Sequence, residues 1–167
     1  MTARSDDPSG YTTKAGAAAI GARLRRLSER IDRDAARLYA ESGVAFEQRW
    51  FGVVNLLSLY ETLTVGELAA ALGVSHATVS QVRAGLETAK LIAWDADKTN
   101  PRQRRLRLTP AGRDVAARLA PLWAALSETA VELNDEAQDA LAALDRLEQA
   151  TLRLSLYDRV KARLAQD

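Results

Sequence analysis

Residues 64–109, TVGELAAALGVSHATVSQVRAGLETAKLIAWDADKTNPRQRRLRLT, decide the fold. Thr64 and Glu67 are spaced as a capping box, in which the hydroxyl and the carboxylate satisfy backbone donors that a helix's first turn leaves orphaned. A helix is therefore predicted to begin near Val65. It runs through Leu68, Ala69 and Leu72 to Gly73, whose missing Cβ permits the left-handed backbone that ends many helices. Ser75 can cap a second helix, on which Val79, Val82 and Leu86 fall at the three- and four-residue spacing of one buried face.

The opposite face of that second helix carries Ala77, Thr78, Ser80, Gln81 and Ala84, which are small or hydrogen-bonding and uncharged. Such a surface can approach base edges closely. Ser75 and His76 stand at its first turn, where backbone N–H groups and the helix dipole favour a phosphate. Arg83 borders the buried face and is expected to reach outward to solvent or phosphate. Downstream, Leu91–Trp94 and Arg104–Leu108 read as strands around a turn-rich loop, Asp95–Gln103. Lys98, Arg102, Arg104, Arg105 and Arg107 make this the densest cationic stretch of the chain. A guanidinium at such a loop suits the enhanced negative potential of a narrow minor groove. Two capped helices followed by a basic hairpin form a winged helix-turn-helix. A solvated helix face and an ordinary hairpin are the bland alternative for each part taken singly.

ELAAALGVSHATVSQV, the strand opening at Leu91–Ile92 and the closing RRLRLTPAGR together resemble the MarR family of bacterial transcriptional regulators. EQRWFGVVNLL and the late SLYDRV extend the resemblance, which spans about residues 18–160, toward the regulator half of MarR proteins fused to an acetyltransferase. No acetyltransferase domain lies within these 167 residues. The resemblance implies a mainly α fold with a small β-wing and with N- and C-terminal dimerisation helices. It places the base-reading pair on Ser80 and Gln81 and the minor-groove arginine on Arg102. The family's wing pattern, Asp-x-Arg-Asp-x-Arg, is kept at Asp97 and Arg102 and lost at Thr99 and Asn100. Small aromatic or acidic effectors bind many such proteins between the dimer helices and the winged core. Trp50, Phe51, Tyr60 and Trp123 are the candidates to line that pocket, with plain core packing the simpler explanation for aromatics at helical spacing.

With 47% hydrophobic residues the chain can bury a core, and abundant Ala and Leu with sparse Pro favour helix. The net charge of +1 hides an asymmetry between the basic wing and an acidic stretch containing Glu132, Asp135, Glu136, Asp139, Asp145 and Glu148. Cysteine is absent, which removes disulfides, thiolate metal sites and thiol-based peroxide sensing. No secretory segment and no apolar run near the roughly 20 residues of a membrane span is present, so a cytoplasmic protein is expected.

Residues 1–12 read as a disordered tail and 13–167 as a single domain, with a winged core at about 45–118 and dimerisation helices at about 13–40 and 119–165. Ile20, Leu24, Leu27, Ile31, Ala35 and Leu38 form one helical stripe, and Gly43 is a plausible stop. A helix over Glu47–Tyr60 precedes the helix-turn-helix. Thr109 and Pro110 start another, kinked by Pro121, with a restart at Asn134 or Asp135 and a last helix capped by Ser155. The apolar stripes of the outer helices lack partners within one chain, which predicts a homodimer.

The expected function is a dimeric regulator, a repressor, that binds a pseudo-palindromic operator in double-stranded DNA through the helix at 75–90 and the wing at 95–107. The alternative is a protein-interaction module, such as a detached regulatory partner of an acetyltransferase. His76 is the lone histidine, without an evident Asp to orient it, so no catalytic residue, metal site or cofactor is assigned.

Overall fold

The computed structural model describes residues 10–96 and 104–166. They form two compact units, divided within one long helix between Leu119 and Ala120.

The first unit opens with a helical turn, α1 (Tyr11–Lys14), and a 3₁₀ turn at Gly16–Ala19, followed by α2 (Ile20–Glu41). The expected single helix from Thr13 is broken here because Gly16 adopts φ +56°. Tyr11 and Thr12, read as tail, belong to α1, and Arg26 Nη1 donates to Thr12 Oγ1 at 3.0 Å. Only the end of α2 enters the core, through Ala35 and Tyr39. Gly43 follows in the left-handed region, as a helix stop requires.

A 3₁₀ turn at Gln48–Trp50 leads into α3 (Phe51–Tyr60), so the expected Glu47–Tyr60 helix divides into these two parts. Tyr39, Phe46 and Trp50 make an aromatic series, with ring centroids 5.0 and then 5.6 Å apart, the second pair edge-on. Tyr39 closes it by donating to Gln48 Oε1 at 2.8 Å.

The helix-turn-helix is α4 (Val65–Leu72) and α5 (His76–Thr88). Both halves of the capping box are made: Thr64 N donates to Glu67 Oε2 at 2.7 Å, and Glu67 N to Thr64 Oγ1 at 3.1 Å. Gly73 sits at φ +64°, and Ser75 Oγ accepts from Thr78 N at 3.1 Å. Leu68, Ala69, Val79, Val82 and Leu86 are buried, so the predicted faces pack inward.

The wing strands are β2 (Ile92–Ala96) and β3 (Arg104–Leu108), paired antiparallel with Ile92 opposite Leu108, Trp94 opposite Leu106 and Asp95 opposite Arg105. A third strand, β1 (Thr62–Leu63), lies on the other edge of β3, giving the order β1-β3-β2. Two residues carry no readable alternation, so sequence alone did not disclose it.

The helix α6 (Pro110–Glu136) begins where predicted, with Thr109 Oγ1 accepting from Gly112 N at 3.0 Å, and it continues through Pro121. In the second unit α7 (Ala140–Arg153) starts later than expected. Gln138 and Asp139 turn left-handed, Asp139 caps Ala142, and Asn134 instead reaches across from α6 to accept from Leu141 N at 2.9 Å. Ser155 caps α8 (Leu156–Leu164) as predicted. No described helix is long and apolar enough to cross a membrane.

Candidate nucleic-acid interface

Helix α5 is anchored beneath and at its C-terminal end, and the anchors determine what it presents. Beneath it, Trp50 is 7% exposed and its indole edge lies against Gly85: a Cβ there would stand 3.1 Å from Nε1. Glycine is therefore what lets the aromatic series approach the helix backbone. At the C-terminal end Lys90 takes φ +58°, and Lys90 N and Leu91 N return to Glu87 O and Leu86 O, both at 2.9 Å, in a Schellman closure. That closure is locked to the start of α6. Thr109 Oγ1 donates to Lys90 O at 2.7 Å and Thr109 N to Leu91 O at 3.0 Å, while Arg113 Nη1 donates to Leu108 O at 3.1 Å. A Cβ on Gly112 would overlap the Leu91 carbonyl, so the LTPAGR run is a clamp between strand and helix.

Held this way, α5 leaves Ser75, His76, Ala77, Thr78, Gln81 and Ala84 exposed and Ser80 half-buried. The hydroxyls of Ser75 and Thr78 are 2.9 Å apart and share a hydrogen bond at the first turn. His76 lies against the first turn of α4, its ring within ordinary contact distance of a Cβ built on Gly66. Thr78, Gln81 and Ala84 of the face predicted to point outward are thus exposed.

The arginines divide into two sets. Arg105 turns back into the fold: its Nε and Nη2 donate to Thr62 Oγ1 and O at 3.1 and 2.9 Å, and Nη2 meets Glu67 Oε2 at 2.9 Å. Arg107 pairs with Asp95 at 3.4 Å. The Glu67 carboxyl is held below the usual carboxylate range, first by the Thr64 backbone N–H, against a smaller opposing effect of burial, and then by the Thr64 hydroxyl and Arg105. Arg83 pairs with Glu87 at 3.1 Å and also stands over the Trp94 ring, 5.3 Å from its centroid. Arg104 stands over the same ring at 4.7 Å and is exposed. Trp94, by its sequence a strand residue, thus has two guanidiniums over its ring. Lys98 and Arg102 lie outside the described residues.

The candidate effector residues of the first unit differ in depth. Trp50 is core, whereas Tyr60, at the far end of α3, is 63% exposed. Ten residues of helix separate them, about 15 Å. Phe51 is half-buried, and Trp123 belongs to the second unit. Among the described residues, no group of three or more His, Asp or Glu could hold a metal.

No protein-family model matches the chain, and no curated protein matches it in sequence. Solved structures do. A crystal structure of S. aureus MepR in complex with DNA aligns with a TM-score of 0.65 and 20% identity, covering 78% of this chain and 97% of MepR. The chain has a MarR-like winged-helix fold. A MarR/EmrR family transcriptional regulator from Acinetobacter sp. ADP1 gives the same TM-score at 18% identity, covering 80% of this chain and 95% of its own. A MarR family regulator from Neisseria meningitidis aligns at 0.55 and 21%, covering 80% and 92%.

Proposed function

We propose that the protein is a homodimeric, sequence-specific DNA-binding transcriptional regulator. The observation that carries this is the exposed uncharged face of α5, fixed at its start by the Ser75 cap and at its end by the Thr109 clamp. A rigid helix with small polar side chains outward can enter a major groove, where Gln81 and Ser80 are suited to hydrogen-bond base edges. Ser75, His76 and Thr78 then face phosphates at the helix start, and Arg83 and Arg104 face them beside the wing. Lys98 and Arg102 complete this reading as backbone and minor-groove contacts. Arg105, tied to Thr62 and Glu67, we assign to the scaffold of the wing instead.

Dimerisation is supported by apolar side chains that a single chain leaves in water. Ile20, Leu27 and Ile31 on α2 are 47–54% exposed, and Leu141, Leu156 and Leu164 in the second unit are more so. Full burial of each such side chain stabilises by roughly 1.5–3 kcal/mol, so covering the stripe with a second copy is strongly favoured. Two recognition helices about 34–36 Å apart select a two-fold-related site. A protein seated on such a site blocks other proteins there, and repression is the regulatory outcome we assign to it. The MepR complex shows a protein of this fold on DNA.

The test is duplex binding as a function of salt. With about eight phosphates engaged per dimer, log affinity should fall with log salt at a slope near −7. A slope near zero, or no binding, would refute the proposal and favour a protein-interaction module.

A further inference from the structure

We propose that Trp94 is a positioning residue whose ring, shared with Arg83, clamps Arg104 in place for the DNA backbone and joins the recognition helix to the wing. This rests on the DNA-binding reading above. Three elements meet at the ring: α5 supplies Arg83, β2 supplies Trp94 and β3 supplies Arg104. The guanidinium carbons stand 5.3 and 4.7 Å from one centroid, so they lie within about 10 Å of each other.

Two cations gathered on one ring repel one another, and the negative face of the indole is what offsets the repulsion. Apolar burial does not account for the tryptophan. Its cross-strand partner Leu106 and the neighbouring inward residues Ile92 and Leu108 are buried, whereas Trp94 is only half-buried at the edge of that core. An aliphatic side chain would seal the edge equally well but would hold no guanidinium.

The other strand arginines show what the ring achieves. Arg105 and Arg107 are held by carboxylates, Glu67 and Asp95, which occupy N–H donors and neutralise charge. Arg104 is held by a π-face, and among the described residues it meets no carboxylate. A guanidinium fixed over a ring keeps its full charge and its rim of donors. Arg83, already paired with Glu87, ties the ring to the recognition helix. Of the two, Arg104 is the one that delivers charge to phosphate.

The experiment compares wild type, Trp94→Leu, Trp94→Phe and Arg104→Gln on the duplex that wild-type protein enriches from a randomised pool, over a range of salt. If each protomer loses one phosphate contact, Trp94→Leu and Arg104→Gln should each make the log–log slope shallower by about 1.8 per dimer. Affinity at near-physiological salt should drop about tenfold with the enriched motif unchanged, and a variant that combines Trp94→Leu with Arg104→Gln should lose no more slope than either alone. Trp94→Phe, which keeps a ring, should retain most of the slope. A tryptophan that only packs would alter thermal stability and active fraction while leaving the slope of the folded protein intact. An unchanged slope in folded Trp94→Leu overturns the clamp. Should that variant not fold, an unchanged slope in Arg104→Gln overturns it equally. Wild-type protein that enriches and binds no duplex overturns the DNA-binding reading itself, and the clamp with it.

Discussion

Replacing Gly112 with alanine probes the joint that holds the recognition helix. The added Cβ would lie inside the Leu91 carbonyl oxygen, 3.0 Å from Leu91 C and 3.3 Å from Leu108 Cδ2. The first two are backbone atoms of Leu91, which joins the end of α5 to β2 and is 6% exposed, so α6 must move away by about 1 Å. That shift loosens the two bonds that join the helix start to the end of α5, Thr109 N to Leu91 O and Thr109 Oγ1 to Lys90 O, and the cap bond of the helix itself, Gly112 N to Thr109 Oγ1. Overpacking costs about 1–3 kcal/mol and each weakened hydrogen bond up to about 1, against a helix-propensity gain near 1. We expect a net loss of about 3 kcal/mol, which for a chain of this size lowers Tm by about 6–12 °C. Urea and thermal unfolding at fixed protein concentration read it directly. Gly52→Ala is the control: its Cβ meets Leu72 Cδ2 at 2.7 Å, the far end of a side chain that can rotate away, so its loss should stay below about 1.5 kcal/mol. A Gly112→Ala loss under about 1 kcal/mol, or one no larger than the control's, would refute the reasoning.

Lys90→Gly should stabilise by about 0.5–1 kcal/mol, because Lys90 adopts φ +58° where glycine is unstrained; urea midpoints check it, and a destabilised variant would show that the lysine side chain contributes more than its backbone costs. The Glu67 carboxyl titrates below its ordinary range in the folded protein, so its contribution is complete above the unfolded value near 4.3 and is lost as pH falls through the lowered one. Stability measured against pH should therefore fall on that acid limb less steeply in Glu67→Gln than in wild type; parallel curves would remove Glu67 as the cause. Gln81→Ala should lower discrimination at one base pair of each half-site by about 1–3 kcal/mol in competition binding, and full retention of specificity would exclude Gln81 as a base reader.

The helix-turn-helix was legible because each of its signals is local. The Thr64–Glu67 box, Gly73 and the Ser75 cap specify backbone conformation within four residues, and the structure makes each of these contacts. The Thr109–Pro110 start and the Ser155 cap were legible for the same reason. What escaped the sequence depends on partners far along the chain. Strand β1 has two residues and exists only because β3 offers an edge, and Arg105 looked like any wing arginine until Thr62, 43 residues away, accepted its hydrogen bonds. Trp94 read as a strand former, since the helix and strand that bring Arg83 and Arg104 onto its ring are distant in sequence. The late start of α7 shows a local rule giving way: Asn134 and Asp135 have capping side chains, yet α6 runs past them to Glu136, and Asn134 caps the next helix from the side. Trp50 and Tyr60 share a helical pattern but differ in exposure, since periodicity alone assigns a face and not a depth.

The most direct test of the account is selection of bound sequences from randomised duplex DNA at near-physiological salt, with the protein's mass in solution recorded in parallel. A dimeric regulator gives an enriched two-fold-related motif, its half-sites one helical turn or a multiple apart, from a species of twice 18.2 kDa. A monomeric mass with no enriched motif would contradict it.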